Sequence, residues 1–206
     1  MATDVETARD DLAYLRGLVA GGGRLQETMG EVFFWAGLIY GAQCLVHALQ
    51  GLGLAPWQGP IALAILIGPS LAFAAIVLAI IWRDRAERPM GGAARAMNAV
   101  FQGAGFANLV LAFVFGYGAH QAQSVTIWLY QPVVVCMFQS VAWFTAFCML
   151  RRAWLGWAAF GWSAATVALG VLVYQPIAYL FVLSATLFLL LALPGWVIWR
   201  GAKRAG

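Results

Sequence analysis

Six uncharged polar side chains occur at similar depths within the apolar stretches that make up most of this chain. Five of them fall about eleven to thirteen residues from the Arg-bearing ends of these stretches, roughly 16–20 Å at 1.5 Å per residue, with the sixth close behind. They are Gln43, Ser70, Asn108, Gln139, Ser163 and Thr186. Such a layer has two interpretations. The side chains form hydrogen bonds between neighbouring helices, each worth about 0.6 kcal/mol, or they line a cavity or pore for a small neutral polar solute. We favour the first.

The histidines and cysteines are the remaining residues with ligand chemistry. His47 and His120 are the only histidines, and both fall toward the uncharged ends of their stretches. Two imidazoles on one membrane face could ligate haem or a metal, or respond to pH, but neither lies in a ligand motif. Cys44, Cys136 and Cys148 lie inside apolar stretches without a CxxC spacing, which indicates small buried hydrophobes. The sequence therefore predicts no metal and no cofactor.

Charged residues are missing from the predicted membrane interior. Proton relays, ion-coupled transporters and voltage sensors depend on such residues. The single lysine, Lys203, lies in the C-terminal tail, which excludes a retinal Schiff base. Hydrolysis or group transfer normally needs a general acid or base, and only the two histidines and the carboxylates at the membrane surface could serve. We therefore expect a protein that is not an enzyme.

Six long apolar stretches must position these side chains. The chain has 206 residues, of which 63% are hydrophobic and 10% charged. A membrane-spanning helix needs about 20 apolar residues, and we place six at 32–50, 60–82, 98–119, 127–150, 153–174 and 176–199. The predicted fold is an all-α polytopic membrane bundle. Its segments are a cytoplasmic amphipathic helix with a glycine hinge (1–30), the transmembrane domain (31–200) and a cytoplasmic tail (201–206).

The charges determine the predicted orientation. All twelve basic and eight acidic residues fall at alternate ends of the stretches, whereas the connections at 51–59, 120–126 and 175 carry none. Because Arg and Lys near short loops stay in the cytoplasm, both termini are predicted to be cytoplasmic. The basic residues are scattered over four short segments instead of forming one face, so we expect no nucleic-acid partner.

The segment before the first span has its own pattern. An apolar stripe at spacings of three and four residues predicts an amphipathic helix, and its members are Val5, Ala8, Leu12, Leu15 and Val19. We expect Gly21-Gly22-Gly23 to end this helix and form a hinge. Its polar faces carry four acidic residues and two basic ones, which is unfavourable for anionic lipid. Protein is the better predicted partner, namely the end of its own bundle, a second copy or a separate cytoplasmic protein.

The six spans are predicted to form three tandem hairpins. An aromatic-Gln-Pro pattern introduces each returning helix at 57–61, 130–133 and 174–177, and proline suits the first turn of a helix. The outgoing helices at 29–37 and 97–105 also resemble each other. Two further features are local. Gly37-x-x-x-Gly41 permits close helix approach, and Pro69 should distort the second span and free a carbonyl group.

The run Asp11-Leu12-Ala13-Tyr14-Leu15-Arg16-Gly17-Leu18-Val19, followed by a glycine-containing hinge and the first span, resembles a group of uncharacterised small six-span inner-membrane proteins of alphaproteobacteria. The resemblance covers residues 1–50. It implies a bacterial inner membrane and carries no activity. We therefore expect a membrane interaction or regulatory subunit, in contact with membrane lipid, that presents residues 4–20 to a cytoplasmic partner or a second copy. The alternative is a channel or facilitator for a small neutral solute.

The predicted topology can be checked by labelling single cysteines in a variant that lacks the three native ones. A membrane-impermeant maleimide added to intact cells should label cysteines placed at Gly53 and Gln123 and leave those at Gly92 and Ala205 unlabelled, because only the uncharged connections face outward. Permeabilised cells should label all four. Labelling of the Gly92 variant in intact cells would overturn the topology.

Overall fold

A computed structural model describes the chain as a set of helices. It describes the backbone of residues 2–54, 57–84 and 92–205, and the side chains of residues 27–54, 57–84 and 96–203. The helices are α1 (Ala2–Gly51), α2 (Pro60–Arg83), α3 (Gly92–Ala122), α4 (Val125–Leu150), α5 (Ala153–Leu172), α6 (Pro176–Leu187) and α7 (Leu193–Ala205), with a π-helical turn at Phe188–Ala192. These ranges contain no β-strand, so the all-α prediction is confirmed.

Six helical stretches are long and apolar enough to cross a membrane. They are Glu27–Gly51, Pro60–Arg83, Ala96–Ala122, Val125–Leu150, Ala153–Leu172 and Pro176–Lys203. The last one combines α6, the π turn and most of α7. Each coincides with one of the six spans predicted from hydropathy, to within a few residues at either end. The chain is therefore a multipass membrane protein with six spans.

Five spans form a closed ring of contacts, and α2 lies outside it. The first span, α1, packs against α6 and α7 of the sixth span. The sixth span packs against α5, α5 packs against α4, and α4 packs against α3. A small contact between α3 and α1 closes the ring. In the described part of the chain, α2 packs against α1 and no other helix. The contacts within the ring are most extensive between α4 and α5 and between α1 and the sixth span.

The first and last spans cross with their backbones in direct contact. A Cβ added to Gly37 would overlap the backbone nitrogen of Ala192 and lie 2.7 Å from the Leu187 carbonyl oxygen. A Cβ on Gly195 would overlap the nitrogen of Phe34 and lie 2.8 Å from a carbonyl oxygen of α1. Only glycine permits so close an approach. Close backbone packing of this kind holds helices together in lipid, where burial of apolar surface provides no driving force.

The sixth span contains a π-helical turn, Phe188–Ala192, where it crosses α1. The N–H of Leu193 bonds to the carbonyl of Phe188, five residues earlier, and Pro194 follows without any N–H to donate. Such π turns commonly accompany a local disturbance of the helical hydrogen bonds. On the facing helix, Gly41 accepts a 2.8 Å hydrogen bond at its carbonyl oxygen from the hydroxyl of Ser184. The Gly37-x-x-x-Gly41 spacing is thus used within one chain.

Aromatic rings fill the ring of helices toward its charged end. Phe33 of α1 lies 5.1 Å from Phe101 of α3 and 5.8 Å from Trp143 of α4, measured between ring centroids. Trp143 also makes an edge contact with Trp154 of α5 at 5.8 Å. This cluster joins four helices. Near-perpendicular ring pairs contribute about 0.5–1.5 kcal/mol beyond the area they bury.

The aromatic-Gln-Pro prediction is correct for two of the three hairpins. Pro60 and Pro176 occupy the first helical positions of α2 and α6. Pro132 lies inside α4, which begins at Val125, so the prediction that it introduces the helix was wrong. Proline interrupts a helix because it lacks an N–H and its ring collides with the preceding turn. Here a side chain from another helix bonds to the backbone of that turn, as shown below.

The helix end predicted at Gly21-Gly22-Gly23 was also wrong, because the backbone is helical without interruption from Ala2 to Gly51. Each glycine costs about 1 kcal/mol relative to alanine inside a helix. Extending an existing helix is nevertheless much easier than nucleating one, and the apolar span that follows provides the existing helix. The apolar stripe at residues 5–19 lies outside the described side chains, and the segment boundary at residue 30 stays a prediction.

Because α1 and the sixth span are in backbone contact at Gly37, replacing Gly37 with alanine should destabilise the bundle. The added methyl group meets backbone atoms that cannot move aside, and overpacking typically costs about 1–3 kcal/mol. Gly170→Ala is the matched control, because nothing lies within 4 Å of its added Cβ. It should leave the melting temperature of the purified protein in detergent unchanged or slightly raised. If the two variants melt alike, the backbone contact between α1 and the sixth span does not limit stability.

Candidate functional site

Gln43 bonds to the turn of α2 that Pro69 disrupts. Because proline has no N–H, the carbonyl group of Ile65, four residues earlier, loses its helical partner. The side-chain amide of Gln43 donates to the carbonyl oxygens of Ile65 at 3.2 Å and Leu66 at 3.0 Å. An unpaired carbonyl group in lipid would cost several kcal/mol. The amide of Gln43 thus compensates for Pro69 and also fastens α2 to α1.

Tyr179 bonds to the helical turn that precedes the second interior proline, Pro132. Its buried hydroxyl donates a 2.6 Å hydrogen bond to the carbonyl oxygen of Leu129, in the turn that Pro132 loosens. Tyr179 is fully buried among the helices of the bundle. The sequence analysis missed this residue. A tyrosine inside a predicted span was the available indication, because a buried phenol normally needs a hydrogen-bond acceptor.

The other members of the polar layer mostly bond in separate places. Asn108 of α3 accepts at Oδ1 from the Gln131 amide of α4 at 2.6 Å, in an exposed position. The Ser163 and Ser140 hydroxyls lie 2.7 Å apart between α5 and α4, and Ser140 also donates to a backbone carbonyl of α5. Thr186 donates to the carbonyl of Val182 in its own helix. Sequence reasoning found one partner in each pair and missed Gln131 and Ser140.

Gln139 and Ser70 complete the layer without comparable bonds. Oε1 of Gln139 is buried and has no hydrogen-bond partner among the described residues. Ser70 is exposed on α2. The six polar residues are therefore distributed over the α1–α2, α3–α4 and α4–α5 contacts and single helices. None of them lines either of the two cavities described below.

The two histidines lie near the uncharged ends of α1 and α3, as predicted. Nδ1 of His47 lies 2.8 Å from the side-chain oxygen of Gln50. His120 is exposed, and its backbone carbonyl accepts from the Gln123 amide at 2.7 Å. Over the described side chains, no three His, Cys, Asp or Glu residues come together as a metal site.

At the opposite, charged end, Arg83 of α2 links to acidic residues. Its guanidinium donates to Glu31 of α1 at 2.9 Å and to the neighbouring Asp84 at 3.0 Å. Thr28 of α1 donates to the other oxygen of Asp84 at 2.6 Å. A small surface cavity of about 250 Å³ lies among these groups. Exposed ion pairs contribute about 0–1 kcal/mol each, so this cluster positions the charged ends of α1 and α2 more than it stabilises them.

A larger cavity of about 370 Å³ opens at the charged end of the helix ring. Its wall is largely apolar, and a single cationic side chain, that of Arg152, belongs to it. The described lining residues are Met29, Met97, Phe101, Trp143, Ala146, Leu150, Arg152, Trp154, Leu155, Val197, Ile198, Gly201 and Ala202. They come from α1, α3, α4, α5, α7 and the turn between α4 and α5. The sequence analysis did not predict this cavity, because its wall combines residues far apart in the chain.

The C-terminal end of the sixth span carries two stacked cations beside this cavity. The Arg200 guanidinium lies 4.3 Å from the ring centre of Trp196, and the Lys203 ammonium lies 4.4 Å from that of Trp199. Such contacts contribute about 0.5–1 kcal/mol each at exposed positions. These contacts keep the charged groups of Arg200 and Lys203 close to the two tryptophan rings at the end of the sixth span.

No protein-family model, curated protein or solved structure matches this chain.

The bond between Gln43 and the Pro69 turn can be tested with a double-mutant cycle. Gln43→Leu should lower stability by about 0.6 kcal/mol, and by no more than about 1.7, because local adjustment of the helix can pair the freed carbonyl group again. The loss should shrink in a Pro69→Ala background, where the introduced alanine supplies the missing N–H to the carbonyl group of Ile65. Gln139→Leu is the control and should be neutral or stabilising, since its buried oxygen is unpaired. Equal losses with and without Pro69 would show that Gln43 acts in some other way.

Proposed function

We propose that this protein is a non-enzymatic interaction or regulatory subunit of a bacterial inner membrane. In this proposal both termini are cytoplasmic, and the N-terminal part of α1 presents residues 4–20 to a protein partner in the cytoplasm. The resemblance of residues 1–50 to small inner-membrane proteins of alphaproteobacteria supports the choice of membrane. The distribution of arginine supports the orientation.

The length of α1 is the observation that carries this proposal. The helix has 50 residues, about two and a half times the number that a span requires. The described span covers Glu27–Gly51 and the helix begins at Ala2, so residues 2–26 precede that span in the same helix. At 1.5 Å per residue they extend roughly 37 Å along the helix axis. An uninterrupted connection to a membrane span would let a partner bound at residues 4–20 act directly on the bundle.

The sequence of this extension favours protein over lipid as its partner. The stripe formed by Val5, Ala8, Leu12, Leu15 and Val19 is apolar along one face. A helix that lies on anionic lipid is rich in Lys and Arg on its polar face. Here four acidic residues accompany two basic ones. A protein surface, either a separate cytoplasmic protein or a second copy, is the more suitable cover for the stripe.

The hydrogen bonds within the bundle favour this function over a solute channel. A channel would need polar side chains that face one continuous space. Gln43 instead bonds to the backbone of α2, Asn108 bonds to Gln131, and Ser163 bonds to Ser140. These bonds account for three of the six members of the polar layer as contacts between helices. A channel remains the alternative, and substitution of these residues would affect permeability if it were correct.

The proposal predicts that charges in the apolar stripe abolish partner binding. Leu12→Asp combined with Leu15→Asp places two carboxylates where the partner would bury apolar side chains, at a cost of several kcal/mol. Affinity purification from membranes should then lose a specific cytoplasmic protein, or native electrophoresis should show loss of self-association. Because no span changes, the variant should insert normally and melt at the wild-type temperature.

The matched control adds the same charge to the opposite face. At 100° per residue, Ala13 and Gly17 lie away from the stripe, so Ala13→Asp with Gly17→Asp should retain the partner. If the stripe variant, or a chain without residues 1–23, recovers the same proteins as wild type, the interaction-subunit proposal fails. In that case solute uptake into proteoliposomes becomes the experiment of choice.

A further inference from the structure

The cavity at the charged end of the helix ring has the properties of a lipid site. We propose that it holds an acyl chain of an anionic phospholipid from the surrounding leaflet, with the phosphate group bound by Arg152. This inference is independent of the proposed interaction function, because it concerns the membrane part of the chain and not residues 4–20.

The walls of the cavity determine what can fill it. Met29, Phe101 and Leu155 give it largely apolar surfaces from three different helices, and its volume of about 370 Å³ lies within the usual range for small-molecule sites. Water is a poor occupant of an apolar cavity because it finds few hydrogen-bond partners there. An empty cavity would deprive its lining atoms of dispersion contacts. A flexible hydrocarbon chain avoids both costs, and methionine side chains adapt readily to its shape.

The charge at the cavity determines the head group. Arg152 is the one charged residue among the described lining residues. The described acidic groups that form ion pairs, Glu31 and Asp84, are both engaged with Arg83. No described carboxylate pairs with Arg152, so its guanidinium is available for an anion. Arginine suits phosphate because its planar donor groups match the phosphate oxygens.

The depth of Arg152 matches the position of lipid phosphates. It precedes α5 at the charged end of the spans, whereas the cavity wall continues from there into the apolar part of the bundle. Basic pockets between transmembrane helices at the cytoplasmic face are a known type of binding site for anionic lipid head groups. One bound lipid would therefore place its phosphate at Arg152 and one chain beside Phe101 and Leu155.

Photolabelling of the full-length protein in nanodiscs can test this site. The probes are phosphatidylglycerol and phosphatidylcholine, each with the same diazirine-bearing acyl chain. Phosphatidylglycerol should crosslink to peptides that contain Met97, Phe101 or Leu155. Arg152→Gln should reduce the preference for phosphatidylglycerol over phosphatidylcholine about fivefold, the effect of one arginine near a charged membrane surface. Arg151→Gln removes a neighbouring charge that does not line the cavity, and should leave the preference unchanged.

A second variant blocks the cavity without disturbing the fold. Gly201 lines the cavity and has nothing within 4 Å of an added Cβ, so Gly201→Phe should abolish labelling of the cavity peptides by both lipids. Gly105→Phe, on an exposed and equally open face of α3, should leave labelling intact. All four variants should melt at temperatures close to that of the wild type.

Three outcomes would overturn the lipid site. The first is labelling confined to the exposed faces of α2 and α3. The second is an equal effect of Arg151→Gln and Arg152→Gln, which would indicate general surface charge. The third is displacement of the cavity label by an unlabelled fatty acid but not by unlabelled phosphatidylglycerol, which would assign the cavity to a different ligand.

Discussion

The backbone contact between the first and last spans is the constraint on which the rest of the bundle depends. At Gly37 and Gly195 the two helices approach so closely that a single methyl group would collide with backbone atoms. The π turn at Phe188–Ala192 lies directly at this crossing, and the Ser184 hydroxyl bonds to α1 beside it. In lipid, helices associate through close packing and hydrogen bonds and not through burial of apolar surface. The crossing therefore brings the first and last spans together, and α3, α4 and α5 complete the ring around the core they share.

Two of the polar side chains in the membrane part of this chain, Gln43 and Tyr179, bond beside interior prolines. Pro69 and Pro132 each disturb a helical turn, and in each case one polar side chain from another helix bonds to the backbone of that turn. Each donor also joins two helices, and at Pro69 the bond from Gln43 pairs the Ile65 carbonyl group that the proline leaves without an N–H. The bond from Gln43 is important for α2, because α2 packs on α1 alone among the described helices. It is held at two depths, by Gln43 within the span and by the Arg83 cluster at the charged end.

Both proposed binding regions involve α1. The extension beyond the span carries the apolar stripe, and Met29, a few residues into the span, forms part of the cavity wall. The same helix then crosses the sixth span at Gly37. A protein partner on residues 4–20 and a lipid in the cavity would therefore contact one continuous helix whose membrane part is tightly packed. The two proposals remain separable, because substitutions at Leu12 and Leu15 do not touch the cavity and substitution of Arg152 does not touch the extension.

The amino-acid sequence by itself determined the six spans, because hydropathy and segment length are local properties and the structure reproduces them within a few residues. It also indicated the distortion at Pro69 and the close approach at Gly37, since these follow from the chemistry of single residues. Only the tertiary structure decided which faces meet. Spans that are apolar on every side carry no periodic pattern that marks a buried face. The bond between Ser184 and Gly41 joins residues 143 positions apart, and the cavity needs five helices at once. The uninterrupted α1 and the interior position of Pro132 likewise depend on neighbouring structure, which local glycine and proline preferences do not contain.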